Sequence, residues 1–144
     1  MKVLVLNGPN LDRLDIRDSS IYGDMSYSQL VSHIENGAKQ NGFIADVRQS
    51  ADEATLVGWL HEAADTNTPV IFNPAAFTHY SYALRDAAEL VKAPLIEVHL
   101  SNPLSREEFR HTSVISGVAN GTIGGFGPNS YILALIALKA LIGK

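Results

Sequence analysis

Proton transfer is the chemistry that the residue types first suggest, because two histidines stand near the ends of apolar runs. His99 lies in the apolar run of residues 95–100, and His79 ends the segment of residues 73–79. An imidazole has a reference pKa of about 6.5, so it can donate a proton near neutrality. Glu97 precedes His99 by two residues, on the same face of a strand, and could orient the imidazole. Taken singly, His99 also fits a satisfied core histidine and His79 a helix cap.

Two arginines could supply a positive site for an anionic ligand. Arg106 and Arg110 are four residues apart and share a face if that stretch is helical. One of them could bind a carboxylate through two hydrogen bonds. On spacing alone, the favoured alternative is a solvated surface on which they pair with Glu107 and Glu108.

Amides and a tyrosine complete the set of candidate polar residues. Asn7, Asn10 and Asn73 are common turn formers, and Tyr22 and Arg17 fall in a long connection. Taken singly, each of these five residues fits an ordinary turn or loop.

Composition limits the class of protein. The chain has 144 residues, 46% of them hydrophobic, which predicts one domain over residues 1–144. It contains no cysteine and begins without the apolar run of a secretory signal, so we expect a cytoplasmic protein without thiolate chemistry. A net charge of -4 offers no basic surface to nucleic acid. The apolar residues 132–142 are too few to span a membrane and cover more than half of a helix, which predicts packing on two sides, the second of which could be another subunit.

Short β-branched runs alternate with helical patterns along the chain, which predicts an α/β fold with a parallel sheet. Helices are expected to begin at a capping box of Ser26 and Gln29, at Asp52, near residue 80 for the helix of about residues 80–91, and at Pro128. These units predict a flavodoxin-like three-layer sandwich, a five-stranded parallel sheet with helices on both faces. The strands are expected at residues 2–7, 43–49, 70–73, 94–101 and 121–126.

The polar candidates follow the carboxyl ends of three predicted strands, where the ligand crevice of an open parallel sheet lies. Residues 8–24 form a longer connection than usual and predict a lid or a binding loop. Position alone therefore predicts a polar crevice, without identifying a reaction.

Seven segments in order resemble the type II 3-dehydroquinate dehydratase family along nearly the whole chain. Each segment alone is a weak signal, but the ordered set is specific. They are NGPNL (7–11), IYG (21–23), RQS (48–50), NPAAFTH (73–79), LRDA (84–87), IEVHLSN (96–102) and REEFR (106–110).

The resemblance implies a lyase of the shikimate pathway and of aromatic amino acid biosynthesis. Such an enzyme removes water from 3-dehydroquinate to give 3-dehydroshikimate, without a metal or cofactor. The resemblance also implies a homo-oligomer, a dodecamer built from trimers, in which Asp86 reaches the site of a neighbouring subunit.

Carried over by position, Tyr22 is implied as the base and His99 as the acid. Arg17 is implied to hold Tyr22 as a phenolate, and Asn10 to position a water that stabilises an enolate. The residues implied to bind the substrate are Asn73, His79, Leu100, Ser101 and Arg110, with Asp86 from a neighbour.

The pKa of a phenol explains why a tyrosine base needs an arginine beside it. A free tyrosine has a pKa of about 10, so a tyrosine base near neutrality needs a permanent positive charge beside it, as Arg17 can provide. Residues 14–20 carry acids and serines where the family usually has Gly and Glu-Pro, so Asp15 or Asp18 could divert Arg17.

A flavodoxin-like small-molecule binding or signalling module without catalysis is the alternative function. A phosphate-accepting receiver domain needs an aspartate at the end of the third strand, where this chain has Asn73. A mononucleotide binder needs free amides in the first loop, and the Gly8-Pro9-Asn10 turn offers few. An inactive homologue would have lost residues of the implied machinery, all of which are present.

Overall fold

The first strand lies inside the sheet, and its side chains are buried on both faces. In the computed structural model, which describes residues 1–143, β1 (Lys2–Asn7) buries every residue after the first. It pairs in parallel with β2 (Ile44–Gln49) and β3 (Val70–Asn73). Strands β4 (Leu95–His99) and β5 (Gly121–Gly124) complete the order β2-β1-β3-β4-β5. The predicted five-stranded parallel sheet is confirmed.

Helices cover both faces of this sheet. They are α1 (Ser19–Tyr22), α2 (Tyr27–Gln40), α3 (Glu53–Thr66), α4 (Tyr82–Glu89) and α5 (Asn129–Ile142).

Alternate side chains of β1 enter two separate cores, as the two-residue period of a strand requires. Val3 and Val5 belong to the core formed with α2 and α5. Leu4 and Leu6 belong to the core formed with α3 and α4. The α/β sandwich with helices on both faces is therefore confirmed.

The helix starts agree with the capping signals in three of four cases. Ser26 and Gln29 form the complete capping box of α2, Asp52 accepts from the amide of Ala54 at the start of α3, and α5 follows Pro128. The prediction of residues 80–91 for α4 is too long. Ser81 is the N-cap of this helix, because the preceding residues turn as a 3-10 helix and cannot continue into it.

Two strands are shorter than predicted at their carboxyl ends. The predicted range 94–101 ends at His99 in the structure, and the predicted range 121–126 ends at Gly124. Gly125 follows with a φ of 97°, a left-handed conformation that leaves the extended path of a strand.

Residues 8–24, called the lid segment below, contain short ordered elements. A 3-10 helix covers Leu11–Arg13, and Asp18 caps α1 by accepting from the amide of Ser20 at 2.9 Å. Four other 3-10 helices are Ala75–His79, Pro103–Ser105, Glu108–His111 and Ser116–Val118.

Helix α5 is apolar around much of its circumference, as predicted. Tyr131, Leu135 and Leu138 are fully buried, whereas Leu133 and Ile136 are 39% and 50% exposed. Within residues 1–143, every helix is too short or too polar to cross a membrane.

Candidate active site

Three central strands end side by side and bring distant polar residues together. The order of the sheet makes β1, β3 and β4 neighbours, so Asn7, Asn73 and His99 lie at one edge. The hydroxyl of Tyr131, from α5, donates to Asn7 Oδ1 at 2.6 Å and accepts from Asn73 Nδ2 at 2.9 Å. Burial raises the pKa of Tyr131, so this phenol stays neutral as a donor. Its hydrogen bonds fix the orientation of the Asn73 amide.

Gly8 allows the turn after β1 to pass close to the turn after β3. A Cβ atom at this position would lie 2.6 Å from the carbonyl oxygen of Pro74. The amide of Gly8 donates to the carbonyl of Asn73 at 2.8 Å. Asn10 follows with a φ of 70° and lines the cleft between these turns. The close approach therefore positions Asn10 opposite β3.

His99 is held by Glu97, as their spacing predicted. His99 Nε2 donates to Glu97 Oε2 at 2.5 Å, and the Glu97 side chain is fully buried. This bond leaves Nδ1 as the ring nitrogen available to a ligand in the cleft. The arrangement suits an imidazole that delivers a proton while a carboxylate fixes its orientation.

Glu97 is an anion in spite of its burial. Burial alone would raise the pKa of Glu97, but the hydrogen bond and charge of His99, with hydrogen bonds from Thr78 and Ser116, hold that pKa below its usual value. The pair therefore carries a carboxylate that can stabilise a protonated imidazole.

The lid segment places Tyr22 between two arginines. The Arg17 guanidinium lies over the Tyr22 ring, 3.5 Å from the centroid. Arg106 donates from Nη2 to the Tyr22 hydroxyl at 2.6 Å, and from Nη1 to Ser101 Oγ at 3.1 Å. Two guanidinium groups therefore contact one phenol.

The acids of the lid segment do not compete for Arg17. Asp15 pairs with Arg13 at 3.3 Å, and Asp18 accepts from Ser20. Burial lowers the pKa of Arg17, although contact with Tyr22 raises it. The possibility that Asp15 or Asp18 diverts this charge is therefore contradicted.

The favoured surface interpretation of the REEFR segment is wrong for Arg106 and only partly right for Arg110. Arg106 pairs with neither neighbouring acid, and its Nε atom is buried without a hydrogen-bond partner. Arg110 donates to Glu107, at 2.7 Å, as that interpretation expected, but its side chain is only 20% exposed and lines the cleft. Both arginines therefore line the cleft, Arg110 from the 3-10 helix Glu108–His111 and Arg106 from just before it.

His79 does not cap α4, since Ser81 does so. His79 Nδ1 donates to the carbonyl of Thr112 at 2.8 Å, and the ring packs edge-on against Phe109. The ring thus presents Nε2 to a ligand.

Most of the predicted site residues line one cleft. Glu97 lies behind His99, in the wall between this cleft and a second one. Asp86 lies elsewhere, with a side chain that is 77% exposed and 3.8 Å from Arg85. The predicted residues in the cleft are Asn10, Arg17, Tyr22, Asn73, His79, His99, Leu100, Ser101 and Arg110.

Sequence reasoning missed three residues of this region. Arg106 was offered only as one of two candidate carboxylate ligands, and its contact with Tyr22 was not expected. Tyr131 and Ser113 carry no local signal, because each reaches the site only through the tertiary fold. Within residues 1–143, no group of three or more histidine or acidic side chains is placed to hold a metal ion.

Comparison with known proteins finds relatives that match this chain over nearly its whole length. The family model described as Dehydroquinase class II matches residues 1–139. The 3-dehydroquinate dehydratase of Salinispora tropica is 52% identical over 140 residues, covering 97% of this chain and 98% of that protein. That of Mycobacteroides abscessus is 54% identical over 135 residues, or 94% of each chain. The crystal structure of type II dehydroquinase from Propionibacterium acnes superposes with a TM-score of 0.94 at 47% identity, covering 96% of both chains.

Proposed function

The chain belongs to the dehydroquinase class II family, and we propose that it removes water from 3-dehydroquinate with Tyr22 as the base and His99 as the acid. The product is 3-dehydroshikimate, in which the new double bond is conjugated with the ketone. The base takes a proton from the carbon beside the ketone, and the electron pair moves to the ketone oxygen as an enolate. The enolate then collapses, the bond from carbon to the leaving hydroxyl breaks, and the proton of His99 completes the water molecule.

The observation that carries this proposal is the position of the Tyr22 hydroxyl between two cations in the cleft of His99. Arg106 donates to that oxygen at 2.6 Å, and Arg17 stacks on the ring at 3.5 Å. Both contacts are worth more when the phenol is a phenolate, since its negative charge then faces two guanidinium groups. Tyr22 can therefore act as a base without a metal.

The acid role of His99 is supported by its partner on the side away from the cleft. The Glu97 carboxylate accepts from His99 Nε2 at 2.5 Å. That bond orients the ring so that Nδ1 faces the cleft, and Nδ1 gives its proton to the leaving oxygen.

The remaining cleft residues suit a small polyhydroxylated acid. We propose that Asn10 positions a water molecule against the enolate oxygen, where a prearranged donor lowers the barrier. Arg110 offers a cation for the carboxylate. Hydroxyl groups of the substrate would meet the other polar lining residues, which are Asn73, His79, Leu100 through its backbone, and Ser101.

The experiment is an assay of the purified protein with 3-dehydroquinate, followed by the ultraviolet absorbance of the conjugated product. We expect turnover without added metal, and loss of turnover in Tyr22→Phe with substrate binding nearly retained. Tyr82→Phe is the matched control, because that tyrosine is 71% exposed on α4. Absence of product from the wild-type protein would refute the lyase activity, and full activity in Tyr22→Phe would assign the base elsewhere.

We also propose that the active form is a homo-oligomer, a dodecamer built from trimers, in which Asp86 completes a neighbour's site. The outward direction of the Asp86 side chain and the partly exposed apolar face of α5 support it. A monomeric mass in solution would contradict the assembly.

A mixing experiment tests the shared site directly. Tyr22→Phe and Asp86→Ala subunits are each expected to be inactive or weak, since each lacks one part of a site. Co-assembled hybrids regain activity, because Tyr22 of an Asp86→Ala subunit can meet Asp86 of its neighbour. Hybrids that stay as weak as the two parents would show that Asp86 acts within its own subunit or not at all.

A further inference from the structure

The Glu97 carboxylate is surrounded by hydroxyl groups that the proposed reaction does not use. Thr78 Oγ1 donates to Glu97 Oε2 at 2.5 Å, and Ser116 Oγ donates to Oε1 at 2.7 Å. Ser113 Oγ donates to both carboxylate oxygens, at 2.9 and 3.0 Å. We call Thr78, Ser113 and Ser116 the hydroxyl collar.

The hydrogen of the Ser113 hydroxyl is directed toward the collar. The backbone amides of Ile115 and Ser116 both donate to Ser113 Oγ, at 3.1 and 3.0 Å. Those two bonds occupy the lone pairs of the hydroxyl, so its hydrogen points to Glu97 or to Thr78 Oγ1, which lies 2.8 Å away and itself donates to Glu97. The tight turn at residues 113–116 thus makes Ser113 a donor toward the carboxylate, directly or through Thr78.

The carboxylate is surrounded by donors. An ionised carboxyl group offers about four lone-pair positions. In this site they receive His99 Nε2 and the three collar hydroxyls. A proton on Glu97 would have to displace one of these donors, and the loss of that hydrogen bond disfavours the neutral form.

We propose that the hydroxyl collar is the positioning device of the acid step: Ser113, with Thr78 and Ser116, locks Glu97 as an anion, so that the proton shared with His99 stays on the imidazole. Thr78 adjoins His79 of the substrate cleft, whereas Ser113 and Ser116 come from the connection between β4 and β5. The collar therefore couples a segment outside the substrate cleft to the acid.

This inference rests on the proposed role of His99, but the measurement of Glu97 protonation that tests it does not. Glu97 is the only acidic group lining either cleft beside the imidazole. The other titratable and charged groups that line these two clefts are Arg17, Tyr22, His79, Arg106, Arg110 and His111. None of them contacts the Glu97 oxygens, so a change at the collar should register first on Glu97.

The test compares the ionisation of Glu97 in Ser113→Ala and in wild-type protein, by infrared spectroscopy with carbon-13-labelled glutamate. The Glu97→Gln spectrum identifies the Glu97 band. We expect the midpoint of Glu97 protonation to rise by about one pH unit in Ser113→Ala, because an anion that loses a donor is less stable. Turnover is expected to fall about tenfold in kcat with KM changed less than about twofold, as for a step in proton delivery.

Three further variants separate positioning from folding. Ser113→Thr keeps the hydroxyl and is expected to restore both the wild-type midpoint and most of kcat. Ser116→Ala removes one donor at a half-buried position and should give the same changes, only smaller. Ser130→Ala is the matched control, because this buried serine only accepts from the amide of Phe126. It should leave the Glu97 midpoint unchanged.

The outcomes are distinct. A raised midpoint with reduced kcat, both restored by Ser113→Thr, supports the collar. An unchanged midpoint in Ser113→Ala, or a raised midpoint with unchanged kcat, overturns it. If wild-type protein gave no product at all, the proposed function would fail, whereas the infrared measurement would still report on Glu97.

Discussion

The residues of the proposed acid and of the proposed base are held in different ways. Glu97 and His99 belong to a central strand, and Glu97 is fully buried under several hydrogen bonds. Tyr22 and Arg17 belong to the lid segment, where α1 has four residues and buries none of them. Arg106 joins the two sets of residues by its bonds to Tyr22 and Ser101.

The strand and the lid segment are therefore expected to differ in rigidity. Segments with few buried apolar contacts open at a lower free energy than core strands. Leu11 and Leu14 of the lid segment are buried in the core, but none of residues 15–24 is buried. We therefore expect residues 15–24 to open without disturbing Glu97 and His99. A reaction that must exclude water during chemistry and then release it benefits from that division.

The largest loss of activity is expected at the strand that carries Glu97 and His99. His99→Asn removes the proposed acid but keeps a polar side chain, and we expect kcat to fall by about 10²- to 10⁴-fold. Steady-state kinetics with 3-dehydroquinate measures this loss, and circular dichroism checks the fold. A variant within threefold of wild type would show that the strand supplies no acid.

A smaller loss is expected where the two sets of residues meet. Arg106→Met keeps much of the side-chain volume but removes the donor to Tyr22, so kcat should fall by about 10- to 100-fold. Arg13→Met is the control, since Arg13 is an exposed residue of the lid segment that pairs only with Asp15. Equal activity of the two variants would argue against Arg106 as a partner of the base.

The pH dependence of stability should report on Glu97 when the wild-type protein is compared with Glu97→Gln. The pKa of Glu97 is lower in the folded chain than the ordinary value of 4.5. Ionised Glu97 therefore stabilises the fold above that value, and this contribution is lost as the pH falls through the folded pKa. We expect Glu97→Gln to lower the free energy of unfolding at pH 7 by about 1–3 kcal/mol, with a shallower decline below pH 4.5. Parallel denaturation curves for both proteins at every pH would contradict this.

The smallest effects come from two matched helix caps, Asp18 of α1 and Asp52 of α3. Asp52→Ala should cost about 1 kcal/mol in chemical denaturation and leave activity intact, because α3 packs on the core. Asp18→Ala should reduce kcat a few-fold with unchanged global stability, because α1 can open locally. If both variants lost the same stability, the lid segment would be part of the cooperative core.

Local patterns predicted the elements of this fold and part of its site. Alternating apolar runs predicted the strands, and the Ser26 capping box predicted the start of α2. The two-residue spacing of Glu97 and His99 predicted their contact, because residues two apart on a strand point to the same face. The role of Tyr22 came only from resemblance to the family, since nothing local distinguishes that tyrosine from an ordinary loop residue.

Contacts between distant segments could not be read from local patterns. Arg106 lies 84 residues from Tyr22, yet donates to its hydroxyl. Tyr131 lies 58 residues from Asn73 and fixes its amide. Ser113 reaches Glu97 only because the connection between β4 and β5 folds back onto the sheet.

The sequence by itself determined the alternation of strands and helices, the caps, and the Glu97 and His99 pair, because each depends on residues close together in the chain. Only the tertiary structure decided that Arg106 reaches Tyr22 and that hydroxyl groups surround Glu97. Those contacts depend on the strand order β2-β1-β3-β4-β5, which brings the carboxyl ends of separate strands to one edge. The bond from Arg106 to Tyr22 and the hydroxyls around Glu97 are therefore properties of packing, and no spacing along the chain encodes them.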